Sequence, residues 1–238
     1  MKKLVLAFVM ICVVIVGRTQ SFEGTIQWTM KMDFTDPKVK AQMEQMAKTM
    51  GEKAGGASVG GMMPSGMAIS IKGKNTRASI QGGIMDKNDI VYIGDKGVSH
   101  VINHNQKTYS TMTNSEKKDS VKPKITKTDE TQKILGYTCT KYLIETSSPQ
   151  NGGKSTTEYW ATEEIKDIDL TTLAKQRMAN DQSMLFAEIP GVPLKIHVAT
   201  QGTVVDMEVA DIKRESIPAS AFEVPAGYKQ ATMGVPGR

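Results

Sequence analysis

The chain has 238 residues, of which 39% are hydrophobic, 5% aromatic and 23% charged, a composition that excludes collagen, a coiled coil and a multi-span membrane protein. It is long enough for a substantial core in one large domain or two small ones. The net charge of +5 falls to +2 once Lys2, Lys3 and Arg18 are set aside with an export signal, which is not the charge of a nucleic-acid binder.

Lys2 and Lys3 precede an apolar run from Leu4 to Val16 that is too short to span a bilayer and fits the core of a secretory signal. The sequence therefore predicts a signal peptide over residues 1–20, a periplasmic or otherwise exported location, and a single domain over residues 21–238 with no stable membrane span after cleavage. Cys12 leaves with the signal, so Cys139 has no internal partner. Its surroundings, Tyr137-Thr138-Cys139-Thr140-Lys141-Tyr142, read as a strand, and a small buried core residue accounts for it better than a reactive thiol.

From Phe22 to Phe34 the even positions are Phe22, Gly24, Ile26, Trp28, Met30, Met32 and Phe34, and the odd ones are polar, which predicts a long strand with one apolar face. Asp36-Pro37 supplies an N-cap and a first helical residue, and Val39, Met43, Met46 and Met50 follow at helical spacing. This predicts a helix from about Pro37 to Lys53 with a methionine stripe, drawn from a chain that carries 16 Met. A glycine-rich connector over 54–66 and a polar segment over 113–123 read as mobile.

Between them, Met67–Ile71, Thr76–Ile80, Asp89–Ile93, Val98–Asn103 and Lys107–Met112 are short strands separated by Gly and Asn turns, which implies antiparallel pairing. Further strands are predicted at Lys124–Glu130, Tyr137–Glu145, Ser155–Ala161, Leu194–Thr200 and Thr203–Arg214, with a second helix over Asp167–Ala179. About eleven strands, two helices and no β-α-β alternation indicate an antiparallel α+β fold.

No motif establishes an enzyme. Gly56-Ala57-Ser58-Val59-Gly60 matches a hydrolase nucleophile elbow, but a helix precedes it where the elbow needs a strand of a parallel sheet. Gly152-Gly153-Lys154-Ser155 lacks the first glycine of a phosphate loop and lies between strands, so a hairpin turn explains it. His100, His104 and His197 form no zinc pattern, and no cofactor is implied. The methionines suggest Cu(I) as an alternative, because thioether sulfur suits that ion, although helical packing already explains Met43, Met46 and Met50.

The segments Ile134-Leu135-Gly136-Tyr137-Thr138-Cys139, Thr157-Glu158-Tyr159-Trp160-Ala161-Thr162 and Phe222-Glu223-Val224-Pro225-Ala226-Gly227-Tyr228 resemble the domain of unknown function 4412 family. That family is similar in turn to periplasmic lipoprotein carriers of the LolA/LolB type. The resemblance implies a curved antiparallel half-barrel whose open face is covered by two helices, with an apolar cavity that takes acyl chains. Trp28, Met30, Met32, Val39, Met43, Met46 and Met50 are the expected cavity residues, while Trp160 either lines the cavity or anchors the second helix. The expected partner is an apolar small molecule, lipid or lipoprotein. A cell-envelope interaction module with a filled core, or a copper-binding protein, is the alternative.

Overall fold

The computed structural model describes residues 21–54, 59–113, 123–147, 154–174, 189–200 and 202–231. The predicted signal peptide, Ser58 and the turn at 148–153 lie outside them, as does most of the 113–123 segment. Strand β1 (Glu23–Phe34) realises the alternation of its sequence: Ile26, Trp28 and Met30 are buried, whereas Thr29, Lys31 and Asp33 are exposed. An antiparallel meander follows, formed by β2 (Gly66–Lys72), β3 (Asn75–Gln81), β4 (Asn88–Ile93), β5 (Val98–Asn103) and β6 (Thr108–Thr113). The second half contains β7 (Lys124–Ile134), β8 (Tyr137–Ser147), β9 (Lys154–Thr162), β10 (Val192–Thr200) and β11 (Thr203–Arg214).

These strands and a two-residue β12 (Lys229–Gln230) make one open sheet in the order β12-β6-β5-β4-β3-β2-β1-β11-β10-β9-β8-β7. The described residues thus form twelve strands, against about eleven expected, and β12 pairs with β6 in parallel. The chain reaches β12 through residues 215–228, which leave the end of β11 and cross the meander to its far edge, so no hairpin turn could announce it. β1 and β11 pair along nearly their whole length and form the seam between the two halves.

β7 runs four residues past its expected end, into a turn where Leu135 (φ 50) and Gly136 (φ 85) both have positive φ, the conformation of a tight hairpin. Thr126, Lys127, Asp129, Glu130, Thr131, Gln132 and Lys133 are exposed, so this edge strand carries no apolar alternation to read. Its register with β8 also shifts between Lys127 and Thr131, which interrupts the edge.

Helix α1 (Pro37–Ala54) starts at its predicted cap, with the Lys38 amide donating to Asp36 Oδ1 at 2.7 Å. The glycine-rich 54–66 stretch contains a helical turn, α2 (Val59–Met62), in which Met62 is fully buried. The second helix is described as α3 (Leu170–Ala174), with 175–188 outside the described residues. It begins later than expected because Asp169 caps it, accepting from the Thr171 amide at 2.9 Å, while Asp167 is used elsewhere. The Asp167 carbonyl accepts from the Phe22 amide at 2.8 Å, and its carboxylate meets Arg214 at 3.3 Å. The β9–β10 connection is thereby tied to the ends of β1 and β11 before α3 packs against β3. Ile165, Ile168 and Leu173 from this connection are buried in the main core.

Candidate functional site

The register assigns side chains to two faces. One row of the inner face runs Met30, Met207, Ile196, Tyr159 and Tyr142 across β1, β11, β10, β9 and β8, and all five are buried. A second row runs from Val209 through Trp28 and Met67 to Ile80, crossing β11, β1, β2 and β3. Trp28 is 3% exposed at the middle of this face.

Beyond Ile80 the inner face forms an open pocket of about 230 Å³, walled by Ile80, Met85, Ile90 and Val101 with Asn88 and Asn103 among its lining. The pocket adjoins the methionine-rich helical segment through the β3–β4 turn. There the Ile84 amide donates to the Met62 carbonyl at 3.0 Å, and Met85, the next residue, lines the pocket. A volume of this size exceeds that of a cavity able to hold benzene, about 150 Å³, yet falls short of the usual span of drug-sized sites, about 300–1,000 Å³.

The expected cavity residues are distributed unevenly. Trp28 and Met30 lie together on the inner face, with Met32 half-buried farther along β1. On α1, Val39 and Met43 are half-buried, Met46 is 40% exposed, and Ala47 is 3% exposed. The inward face of the helix is therefore Val39, Met43 and Ala47, rotated from the methionine stripe toward the small residue that permits close approach. The Met50 side chain lies outside the described residues. Trp160 pairs with Lys141 and Lys195 and so points to the opposite face from its neighbour Tyr159, with the Lys141 ammonium 5.6 Å from its ring centre. Trp28 and Met30 lie on the inner face, and Trp160 belongs to the same buried core cluster while projecting from the other side of β9.

The pocket residues Ile80, Ile90 and Val101 were missed as a group, although the alternation Thr76, Ala78, Ile80 in β3 carries their signal. Two polar atoms on the inner face, Trp28 Nε1 and Thr76 Oγ1, are buried without a hydrogen-bond partner among the described residues. Replacing Thr76 with the isosteric Val removes a desolvated hydroxyl that gains nothing in return. It is expected to raise stability by about 1 kcal/mol in urea denaturation, and a loss of that size would show that the hydroxyl is satisfied after all.

The outer face of the meander carries a polar cluster that sequence reasoning did not assemble. Asp89, with its side chain 4% exposed, accepts from Arg77 and from His104 Nε2, the latter at 2.5 Å. His104 Nδ1 lies 2.8 Å from the Tyr228 hydroxyl, and Arg77 also donates to the Ala221 carbonyl at 3.2 Å. Burial pushes the Asp89 carboxyl up, but hydrogen bonds from Ser79 and His104, with the Arg77 guanidinium, outweigh it and hold the group below the usual carboxylate range. The same C-terminal segment is held at Glu23, whose carboxylate accepts from Lys72 at 2.9 Å and from the Ile217 amide at 2.7 Å. Both contacts keep the Glu23 carboxyl below its ordinary value. Beneath the segment, Ile217 and Phe222 pack on Val91 and Ile102 in a second, smaller core.

Cys139 is free and buried, and burial followed by the nearby Glu164 charge pushes its thiol up to about 11, which disfavours the reactive thiolate. Among the described residues no group of three or more His, Cys, Asp or Glu gathers as a metal site. No described helix is long and apolar enough to cross a membrane.

The family model for a domain of unknown function, DUF4412, matches residues 22–228. Among solved structures the chain is similar to LprF from Mycobacterium bovis, at 8% sequence identity and a TM-score of 0.33, over 82% of this chain and 88% of that one. No curated protein matches it.

Proposed function

We propose that this chain, which belongs to the DUF4412 family, is an exported, non-enzymatic binding protein that holds an apolar ligand such as a lipid or acyl chain against the inner face of a half-barrel sheet. The observation that carries the reading is the continuity of that face. The row through Trp28, Met67 and Ile80 leads from the centre of the sheet to the wall of an open pocket, beside the turn that is hydrogen-bonded to α2. Methionines stand along this path at Met30, Met67 and Met85. Their soft rotors and polarizable sulfur let a packed surface open and close around chains of varied shape.

A fluorescent fatty-acid probe tests the reading. Val101→Trp fills the pocket from β5 and is expected to weaken probe binding at least tenfold, while Met43→Gln with Met46→Gln reports whether α1 borders the same ligand. Absence of binding to the wild type, or equal binding to Val101→Trp, would sink the proposal. A filled core serving envelope interactions is the second reading, favoured by Ile165, Ile168 and Leu173, which already occupy part of the core. Native mass spectrometry after gentle purification separates the two, since only the first predicts co-purified lipid.

A further inference from the structure

We infer that the pocket beyond Ile80 selects a ligand with a single anionic head group on its apolar body, and that Lys229 is the residue that selects the charge. This rests on the apolar-ligand reading above and names the other end of the same ligand. The pocket is built on two rows of directly opposed residues, each row sharing the inner face. One row, Ile90, Val101 and Ser110, crosses β4, β5 and β6 and is continued by Ala231, which follows β12 and also lines the pocket. The other row, Asn88, Asn103, Thr108 and Lys229, crosses β4, β5, β6 and β12. Its first three members line the pocket, and its last is an exposed lysine at the edge of the sheet. The fold of the C-terminal segment places that charge. The Tyr228 hydroxyl is held by His104 on the outer face, so the next residue, Lys229, turns to the inner one. The Lys229 amide donates to the Lys107 carbonyl at 3.0 Å and the Ala231 amide to the Tyr109 carbonyl at 2.7 Å, which fixes the backbone on both sides of the lysine side chain.

Charge and hydrogen-bonding capacity agree at this end of the pocket. The Lys229 ammonium has no partner among the described residues. Lys87 and Lys107, both exposed, precede Asn88 and Thr108 and add to the positive field, while the neighbouring carboxylate, Asp86, is engaged by the Gly82 amide at 3.0 Å. Asn103 Oδ1 accepts from the Gln106 amide at 2.8 Å, which leaves the NH2 of that carboxamide as a donor, and the Thr108 hydroxyl is another. An anionic head group can accept from these donors and from the ammonium together, and charge-assisted hydrogen bonds are about twice as strong as neutral ones. A neutral ligand would use the wall of Ile80, Ile90 and Val101 and leave the polar row to water.

The test uses two fluorescent probes with the same aromatic frame, the anion anilinonaphthalene sulfonate and the neutral phenylnaphthylamine that lacks its sulfonate. In Lys229→Gln the affinity for the sulfonate relative to the neutral probe is expected to fall about tenfold, with binding of the neutral probe unchanged. That unchanged binding also shows that the variant is folded. Lys31→Gln, which removes the same charge from the outer face, is expected to keep the wild-type ratio. Val101→Trp is expected to weaken both probes, which places them in this pocket. A wild-type ratio in Lys229→Gln, an equal fall in Lys31→Gln, or sulfonate binding that survives Val101→Trp when the neutral probe is lost overturns the inference while leaving the apolar-ligand reading intact. Binding of neither probe to the wild type overturns both.

Discussion

Replacing Asp89 with Ala is expected to destabilise the protein by about 3–5 kcal/mol, the range found when one partner of a buried charge pair is removed. The loss comes from what remains. Arg77 and His104 keep their places on the outer face without the carboxylate that compensates them, and the Tyr228 hydroxyl loses its hold on the sheet through His104. For a chain of this size the melting temperature should fall by about 10 °C. The effect depends on pH in a defined direction. Because the folded protein holds the Asp89 carboxyl below its ordinary value, the stabilisation is complete above the unfolded-state pKa of about 3.9 and is lost as pH falls through the folded one. Melting temperatures of the wild type and Asp89→Ala should therefore stay apart between about pH 5 and 8 and converge in stronger acid. Equal melting temperatures at pH 7 would show that the cluster does not fasten the C-terminal segment.

That cluster marks the boundary between what the sequence discloses and what only the fold assembles. Alternation in Phe22–Phe34 made β1 legible, and Gly and Asn turns made the meander legible, because each signal is local. Asp89 sits before the apolar run Ile90-Val91-Tyr92-Ile93, a hint that something must compensate it. Its partners nevertheless arrive from β3, from the β5–β6 turn and, through Tyr228, from far along the chain, and no spacing rule links them. β12 escaped for the same reason, as two residues whose pairing depends on the segment before them. In α1 the period was right but the inward face was rotated, since helical spacing gives the stripe and tertiary packing decides which edge of it is buried. Trp160 follows from a related limit: strand alternation fixes that Tyr159 and Trp160 oppose each other, yet only the register with β10 says which of them shares a face with Trp28. Trp28 and Met30 were legible as apolar residues, whereas an indole N–H with no partner among the described residues became visible only in the packed sheet.

Gly24→Ala is expected to be the most damaging added methyl among the described glycines, and comparison with Gly136→Ala shows why. Both glycines have positive φ, 156° at Gly24 and 85° at Gly136. At Gly136 an added Cβ meets nothing within 4 Å, so the cost is that of the backbone conformation alone, roughly 1–2 kcal/mol. At Gly24 the same atom would stand 1.9 Å from the Lys213 carbonyl oxygen, and that oxygen belongs to the backbone of β11. No rotamer can relieve the clash, so the strands must part or shift register, adding several kcal/mol on the order of a severe overpacking penalty. The seam is a poor place for such a shift, because β1 and β11 join the two halves of the sheet and a slip of one residue turns Ile26, Trp28 and Met30 from the core toward solvent. Urea denaturation should place the Gly136→Ala midpoint slightly below the wild type. Gly24→Ala should lie far lower or accumulate as insoluble protein, as expected when two long strand edges are left unpaired. A small, equal shift in both variants would mean that the seam yields at Gly24, in which case the glycine is required for its φ and not for the approach of β11.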